Sequence, residues 1–241
     1  MPARKSVSIV IGVVGVLAAA LTFLPLTSDN ASPTEVPKTV QGDPSADQRP
    51  ALLVIGDSLS AGYGLERVEE GWVALLQARI DTEDYGIRVV NASISGDTTQ
   101  GGAARIGQAL AAHRPEVVVI ELGGNDGLRG IPIDITEANL RQMVTASQQA
   151  GASVAMLGMR IPPNYGPRYT EQFEGTFRKI SEELEVPMEP FFLEGVALDP
   201  NLMQADGIHP NAGAQSDMLE RAWPVIRTAM ERAELTSSET H

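Results

Sequence analysis

From residue 51 onward, short and nearly uninterrupted apolar runs alternate with amphipathic stretches. Residues 51–57 (ALLVIGD), 87–93 (IRVVNAS), 116–124 (EVVVIELGG), 152–159 (ASVAMLGM) and 186–192 (VPMEPFF) read as five strands. Several of these runs are apolar at every position, as strands covered on both faces must be. Between them, the 3.6-residue period predicts helices near 70–81, 99–113, 136–150 and 169–185. A last helix is predicted from Asn211, a suitable N-cap, to about residue 233. Strand–helix alternation requires a parallel sheet with crossover connections. The expected fold is therefore a three-layer α/β/α, flavodoxin-like domain over residues 51–235, with a five-stranded parallel sheet. In such sheets ligands bind beyond the carboxyl ends of the strands.

Upstream of this pattern the chain changes character twice. Arg4 and Lys5 precede an apolar run over residues 7–26, the layout of a secretory signal or an uncleaved signal anchor. A run of about 20 apolar residues is long enough to span a bilayer. No clear Ala-x-Ala cleavage site follows Leu26. The expectation is that residues 1–26 export the chain and leave it either soluble in the periplasm or anchored to the inner membrane. Residues 27–50 are rich in Pro, Ser, Thr and Asp without an apolar period and read as a flexible tether. Residues 236–241 are expected to form a disordered tail.

Charge and cysteine usage remove several function classes. The net charge is −13, and residues 51–241 carry all of the excess, with 14 Lys+Arg against 27 Asp+Glu. Such a surface repels phosphate backbones and argues against nucleic acid as a partner. The chain has no cysteine, so disulfides, thiolate nucleophiles and Cys-ligated zinc are absent together.

Polar motifs follow the first three predicted strands immediately. Gly56-Asp57-Ser58-Leu59 follows the first, Ser95-Gly96-Asp97 the second and Gly123-Gly124-Asn125-Asp126 the third. A fourth, Asp206-Gly207-Ile208-His209-Pro210-Asn211, precedes the last helix. Any one of them alone reads more readily as a turn. In a parallel sheet the first three share one edge, and with the fourth they supply the parts of an acyl-transfer site. Ser58 is the candidate nucleophile, and a serine hydroxyl needs an adjacent base. His209 is the natural choice, because the other two histidines are His113, at a predicted helix end, and His241, at the C-terminus. Asp206, three residues before it, would hold the tautomer and stabilise the imidazolium. Pro210 biases His209 toward extended backbone, placing the pair in a loop. Preorganised donors for an oxyanion are available from the Asn125 side chain and from the backbone of Gly96 and Ser58. Asp57 reads as a brace for the turn. A metallohydrolase built on Asp57, Asp126 and His209 is an open alternative that lacks a recognisable ligand spacing.

Ser58, Gly96, Asn125 and His209 stand in the block pattern of the SGNH (GDSL) hydrolase superfamily. Beyond the blocks, residues 56–64, 91–98, 121–130, 164–166 and 206–211 resemble the bacterial thioesterase I, lysophospholipase and arylesterase subfamily. The resemblance extends over roughly residues 51–232. It implies a periplasmic serine hydrolase of broad ester and thioester specificity, acting as a monomer without cofactor. It also implies that the loop of residues 127–135 moves over the acyl chain. Leu128, Ile131, Ile161 and Tyr165, on the loops at 127–135 and 161–169, would line the acyl side. The longer apolar run and the tether depart from the short cleaved signal usual in that subfamily. A carbohydrate O-deacetylase or an acyltransferase on the same fold is the competing reading.

Overall fold

The computed structural model describes residues 47–237 of the chain. The expected signal segment, most of the tether and residues 238–241 lie outside the described residues. The last residues assigned to the tether, 47–50, are held against the domain. Arg49 pairs with Asp47 at 2.7 Å and Asp81 at 3.2 Å, and the Pro50 carbonyl accepts from Arg88 N–H.

Five parallel strands form one sheet: β1 (Ala51–Gly56), β2 (Arg88–Asn91), β3 (Val117–Glu121), β4 (Ser153–Leu157) and β5 (Met188–Glu189), in the order β2-β1-β3-β4-β5. Every residue of β1 and β3 is buried, which accounts for their unbroken apolar sequence. Edge strand β2 is only half-buried and β5 is two residues long, as befits sheet edges. The helices are α1 (Ser58–Ala61), α2 (Trp72–Thr82), α3 (Thr99–His113), α4 (Gly124–Leu128), α5 (Ile133–Gln149), α6 (Pro167–Glu183) and α7 (Gln215–Arg232). α2 packs on α7 at one face of the sheet, and α3, α5 and α6 pack in succession at the other. The three-layer α/β/α arrangement expected from the sequence is the one observed.

The structure differs from the sequence expectations at several ends, each for a physical reason. The third strand stops at Glu121 rather than 124, because Gly123 turns the backbone at φ +116° and the chain enters α4. A side chain at position 123 would also meet the Phe177 ring at 2.8 Å. The fifth strand shrinks to Met188–Glu189 because Pro187 and Pro190 bracket it and neither can donate to the ladder. Asn211 does act as a cap, accepting from Gly213 N–H at 2.9 Å, but it caps a single 3-10 turn (Ala212–Ala214) that precedes α7. The start of the helix predicted over 136–150 moves forward to Ile133, directly after Pro132.

What matters for function is where the chain leaves the sheet. Gly56 at the end of β1 sits opposite Glu121 at the end of β3. The connection from β1 leads to β2 on one side, while the connection from β2 returns to β3 on the other. This divergence leaves a crevice above the carboxyl ends of β1 and β3, the switch point of a doubly wound sheet.

Candidate active site

The turn after β1 places Ser58 at that crevice. Asp57 caps the short helix α1, its carboxylate accepting from Leu59 N–H at 3.0 Å, so that Ser58 becomes the first helical residue. Asp57 is 2% exposed, whereas Ser58 remains half-buried. The glycine before them is required by space. A Cβ on Gly56 would lie 2.5 Å from Glu121 Oε2 and 2.7 Å from Ser60 Oγ.

The loop before α7 brings His209 to the same place. Asp206 Oδ1 accepts from the backbone N–H of Ile208 at 2.9 Å and of His209 at 3.0 Å, folding the loop around its own carboxylate. Asp206 Oδ2 lies 2.6 Å from His209 Nδ1, and His209 Nε2 lies 3.0 Å from Ser58 Oγ. A carboxylate at that distance assigns the proton to Nδ1, which leaves Nε2 to accept from the serine hydroxyl. The hydrogen bond from the His209 ring, with those from the two backbone N–H groups, holds the Asp206 carboxyl well below the usual carboxylate range. Tyr63 covers the imidazole, with ring centroids 4.5 Å apart.

The loops after β3 and β2 carry the candidate oxyanion donors. Asn125 stands in α4, and its Nδ2 donates to Asp57 Oδ2 at 2.9 Å. One of its two N–H bonds is thereby spent on aiming the amide, and the second is left for a substrate oxygen. Gly96 occupies the left-handed region at φ +80°, a conformation that favours glycine. Its loop is tied down by Arg105, which donates to Asp97 at 2.8 Å, to the Ala92 carbonyl at 2.5 Å and to the Gly56 carbonyl at 3.4 Å. Asp126 is fully buried and accepts from Thr99 N–H at 2.9 Å and Thr99 Oγ1 at 2.5 Å. Asp57 is thus committed to N–H donors, and Asp126 to N–H and O–H donors.

Of the residues expected on the acyl side, Leu128 and Tyr165 are 39% and 37% exposed, and Ile131 is half-buried. Ile161 is a core residue, 7% exposed and packed beneath α4, where a Cβ on Gly127 would meet it at 2.4 Å. Part of the expected loop 127–135 is helical, belonging to α4 and α5. The segment between these helices is pinned by two tyrosine hydroxyls. Tyr165 donates to the Leu128 carbonyl at 2.7 Å and Tyr169 to the Ile131 carbonyl at 2.8 Å.

Glu121 and Arg129 lie inside the 121–130 motif with no role of their own assigned by the sequence, and Gln204 lies outside the motifs. Glu121 is fully buried under the nucleophile turn, accepting from Ser60 Oγ at 2.5 Å and Asp57 N–H at 3.2 Å through Oε2, while Oε1 has no partner. Burial first, and then the Asp57 charge, push its carboxyl well above the usual range. Burial also raises Asp57, though hydrogen bonds from Leu59 and Asn125 oppose the rise. The more enclosed Glu121 keeps the proton and Asp57 carries the pair's charge. A charged residue closing an otherwise apolar strand was the signal for Glu121. Gln204 staples two loops: its Nε2 donates to the Tyr63 carbonyl at 2.8 Å and to the Pro210 carbonyl at 2.9 Å. Its backbone N–H also donates to the His209 carbonyl at 2.7 Å.

A continuous line of hydrogen bonds from Asp206 through His209 to Ser58, at the switch point of a parallel α/β sheet, defines a serine hydrolase. Comparison with known proteins narrows the class. The chain belongs to the GDSL-like lipase/acylhydrolase family, whose model matches residues 54–215, and it is an ester hydrolase. It is 51% identical over 176 residues to the esterase TesA of Pseudomonas aeruginosa, covering 73% of this chain and 87% of the relative. Over 164 residues it is 48% identical to thioesterase 1/protease 1/lysophospholipase L1 of Escherichia coli K12, covering 68% of this chain and 77% of that one. The crystal structure of a TesA matches with a TM-score of 0.72 at 50% identity, covering 74% of this chain and 99% of that structure.

Proposed function

We propose that Ser58 is the nucleophile of a two-step hydrolysis of carboxylic esters and acyl thioesters. The observation that carries this reading is the Asp206–His209–Ser58 line, with its 2.6 Å and 3.0 Å contacts. Ser58 Oγ attacks the acyl carbonyl carbon while His209 Nε2 takes the hydroxyl proton. Asp206, held ionised, keeps Nδ1 protonated and stabilises the imidazolium. The carbonyl oxygen becomes an oxyanion facing Asn125 Nδ2 and the N–H groups of Gly96 and Ser58. Collapse of the tetrahedral intermediate breaks the C–O or C–S bond, and the alcohol or thiol leaves with the proton from His209. Water, deprotonated by the same histidine, then attacks the acyl-enzyme and releases the acid.

Leu128, Ile131 and Tyr165 support an aliphatic or aromatic acyl group on the side of α4. The E. coli relative, named for thioesterase and lysophospholipase activities, supports thioesters and lysophospholipids within the substrate range. The basic-flanked apolar run at residues 7–26 supports export, with the enzyme working in the periplasm or tethered at the inner membrane as a monomer without cofactor.

The test is a kinetic series of p-nitrophenyl esters from short to long acyl chains beside acyl-CoA substrates, with fluorophosphonate labelling of Ser58. Turnover across several chain lengths with label on Ser58 supports the reading. Activity confined to acetylated sugars would make the chain a carbohydrate deacetylase. Acyl transfer to a glycan alcohol in preference to water would make it an acyltransferase.

A further inference from the structure

Arg129 stands at the C-terminal end of α4, exposed to solvent, and its guanidinium reaches back across the mouth of the crevice. A single nitrogen, Nη2, lies 3.0 Å from the Gly96 carbonyl oxygen and 3.2 Å from Asn125 Oδ1. It therefore joins the two residues, one from the loop after β2 and one from the loop after β3, that flank Ser58 as oxyanion donors. Among the described residues no ion pair neutralises it, although the domain is strongly acidic. Its charge is directed onto two neutral oxygens.

We propose that Arg129 is a positioning residue that sets the oxyanion hole, locking the Asn125 amide and Gly96 into one unit. This rests on the reading of Ser58 as nucleophile.

Three physical effects act together. The amide of Asn125 is held from both ends: Asp57 accepts from Nδ2, and Arg129 donates to Oδ1. That fixes which end of the amide faces the crevice, since a flipped amide would oppose donor to donor and acceptor to acceptor. A charge-assisted bond to the amide oxygen also polarises the group and makes its N–H a stronger donor. Finally, the bond to the Gly96 carbonyl holds the loop after β2 at a fixed separation from α4. Gly96, without a Cβ to restrict its backbone, sits in the left-handed region, so an external anchor helps to hold it there.

The test compares Arg129→Gln and Arg129→Lys with the wild type, alone and in an Asn125→Ala background. The readouts are kcat and KM for a p-nitrophenyl ester, and inhibition by an alkylboronic acid, whose tetrahedral adduct on serine places an oxygen in the hole. Arg129→Gln is expected to lower kcat by about tenfold or more and weaken boronate inhibition by a similar factor, with KM within about twofold. Arg129→Lys, which keeps the charge, is expected to recover part of the loss. In the Asn125→Ala background, Arg129→Gln should cost clearly less than in the wild type, because only its Gly96 anchor is left to act through. Thermal melting of both Arg129 variants checks that the fold is unchanged. Equal losses in both backgrounds, or a loss confined to KM, would overturn the inference while leaving the nucleophile reading intact. Failure of fluorophosphonate to label Ser58 in the wild type would overturn both.

Discussion

Asn125 donates its side-chain amide to the Asp57 carboxylate at 2.9 Å, so the residue next to the proposed nucleophile also aims the proposed oxyanion donor. Asp57 uses its two oxygens for two different donors, Leu59 N–H on Oδ1 and Asn125 on Oδ2. The same carboxylate thus shapes the turn that presents Ser58 and orients the Asn125 amide beside it.

Asp57→Asn is expected to damage catalysis out of proportion to its size. An asparagine there accepts with one oxygen only, and its NH2 then opposes an N–H donor, so either the α1 cap or the Asn125 bond is lost. We expect kcat to fall about tenfold to hundredfold with KM within about twofold, since the affected bond tightens as the oxyanion forms. Steady-state kinetics on one p-nitrophenyl ester decides it. Wild-type kcat in a folded Asp57→Asn protein would contradict the role.

Gln204 links the histidine loop to the nucleophile turn across 141 residues of sequence. The Tyr63 carbonyl is exposed and can turn to water, but Pro210 is buried, so Gln204→Ala should cost about 1–3 kcal/mol of stability. The catalytic cost should be on the order of tenfold in kcat, because a small displacement of His209 from Ser58 is amplified at the transition state. Gly64→Ala should act similarly: φ is +72° there, and a Cβ would lie 2.1 Å from the Gln204 side-chain oxygen. A loss of melting temperature without loss of kcat would reduce Gln204 to a stabilising contact.

Glu121 gives the domain a pH-dependent stability of unusual sign. Its folded-state carboxyl is raised by burial, so the folded protein still holds this proton where the unfolded chain, near the ordinary value of about 4.3, has released it. The contribution is most favourable below about pH 4.3 and is progressively lost as pH rises toward the folded-state value. Glu121→Gln removes that dependence. Its melting temperature relative to wild type should rise as pH increases above about 4.3, whatever constant offset the unpartnered amide introduces. A difference independent of pH would mean that Glu121 is not held protonated.

Much of this architecture is legible in the sequence, and the reasons differ by element. β1 and β3 announce themselves because burial on both faces leaves no polar position in Leu52–Ile55 or Val117–Ile120. The predicted helical span 99–113 coincides with α3 because Thr98 caps its start and Arg114, in the left-handed region, ends it. α1 and α4 escape a periodicity argument because helices of four and five residues contain little more than one turn. Ser58, Asn125 and His209 were readable because each sits in a turn motif beside a predicted element, although His209 and Ser58 are 151 residues apart. Arg129 and Gln204 were not, since a surface arginine and a loop glutamine acquire meaning only through the carbonyls that folding brings to them. Ile161 looked like a rim residue by its place in a loop, but Gly127 leaves a space that it fills from below.

The central claim is that Ser58 is the nucleophile, and the most direct measurement is kcat of purified Ser58→Ala on a p-nitrophenyl ester, with circular dichroism confirming the fold. The hydroxyl is half-buried at the surface of the crevice, so its loss should leave the domain intact. The account predicts a fall in kcat of at least about 10³-fold, the residual rate coming from binding and oxyanion stabilisation alone. A folded Ser58→Ala protein that turns over at close to the wild-type rate would contradict it.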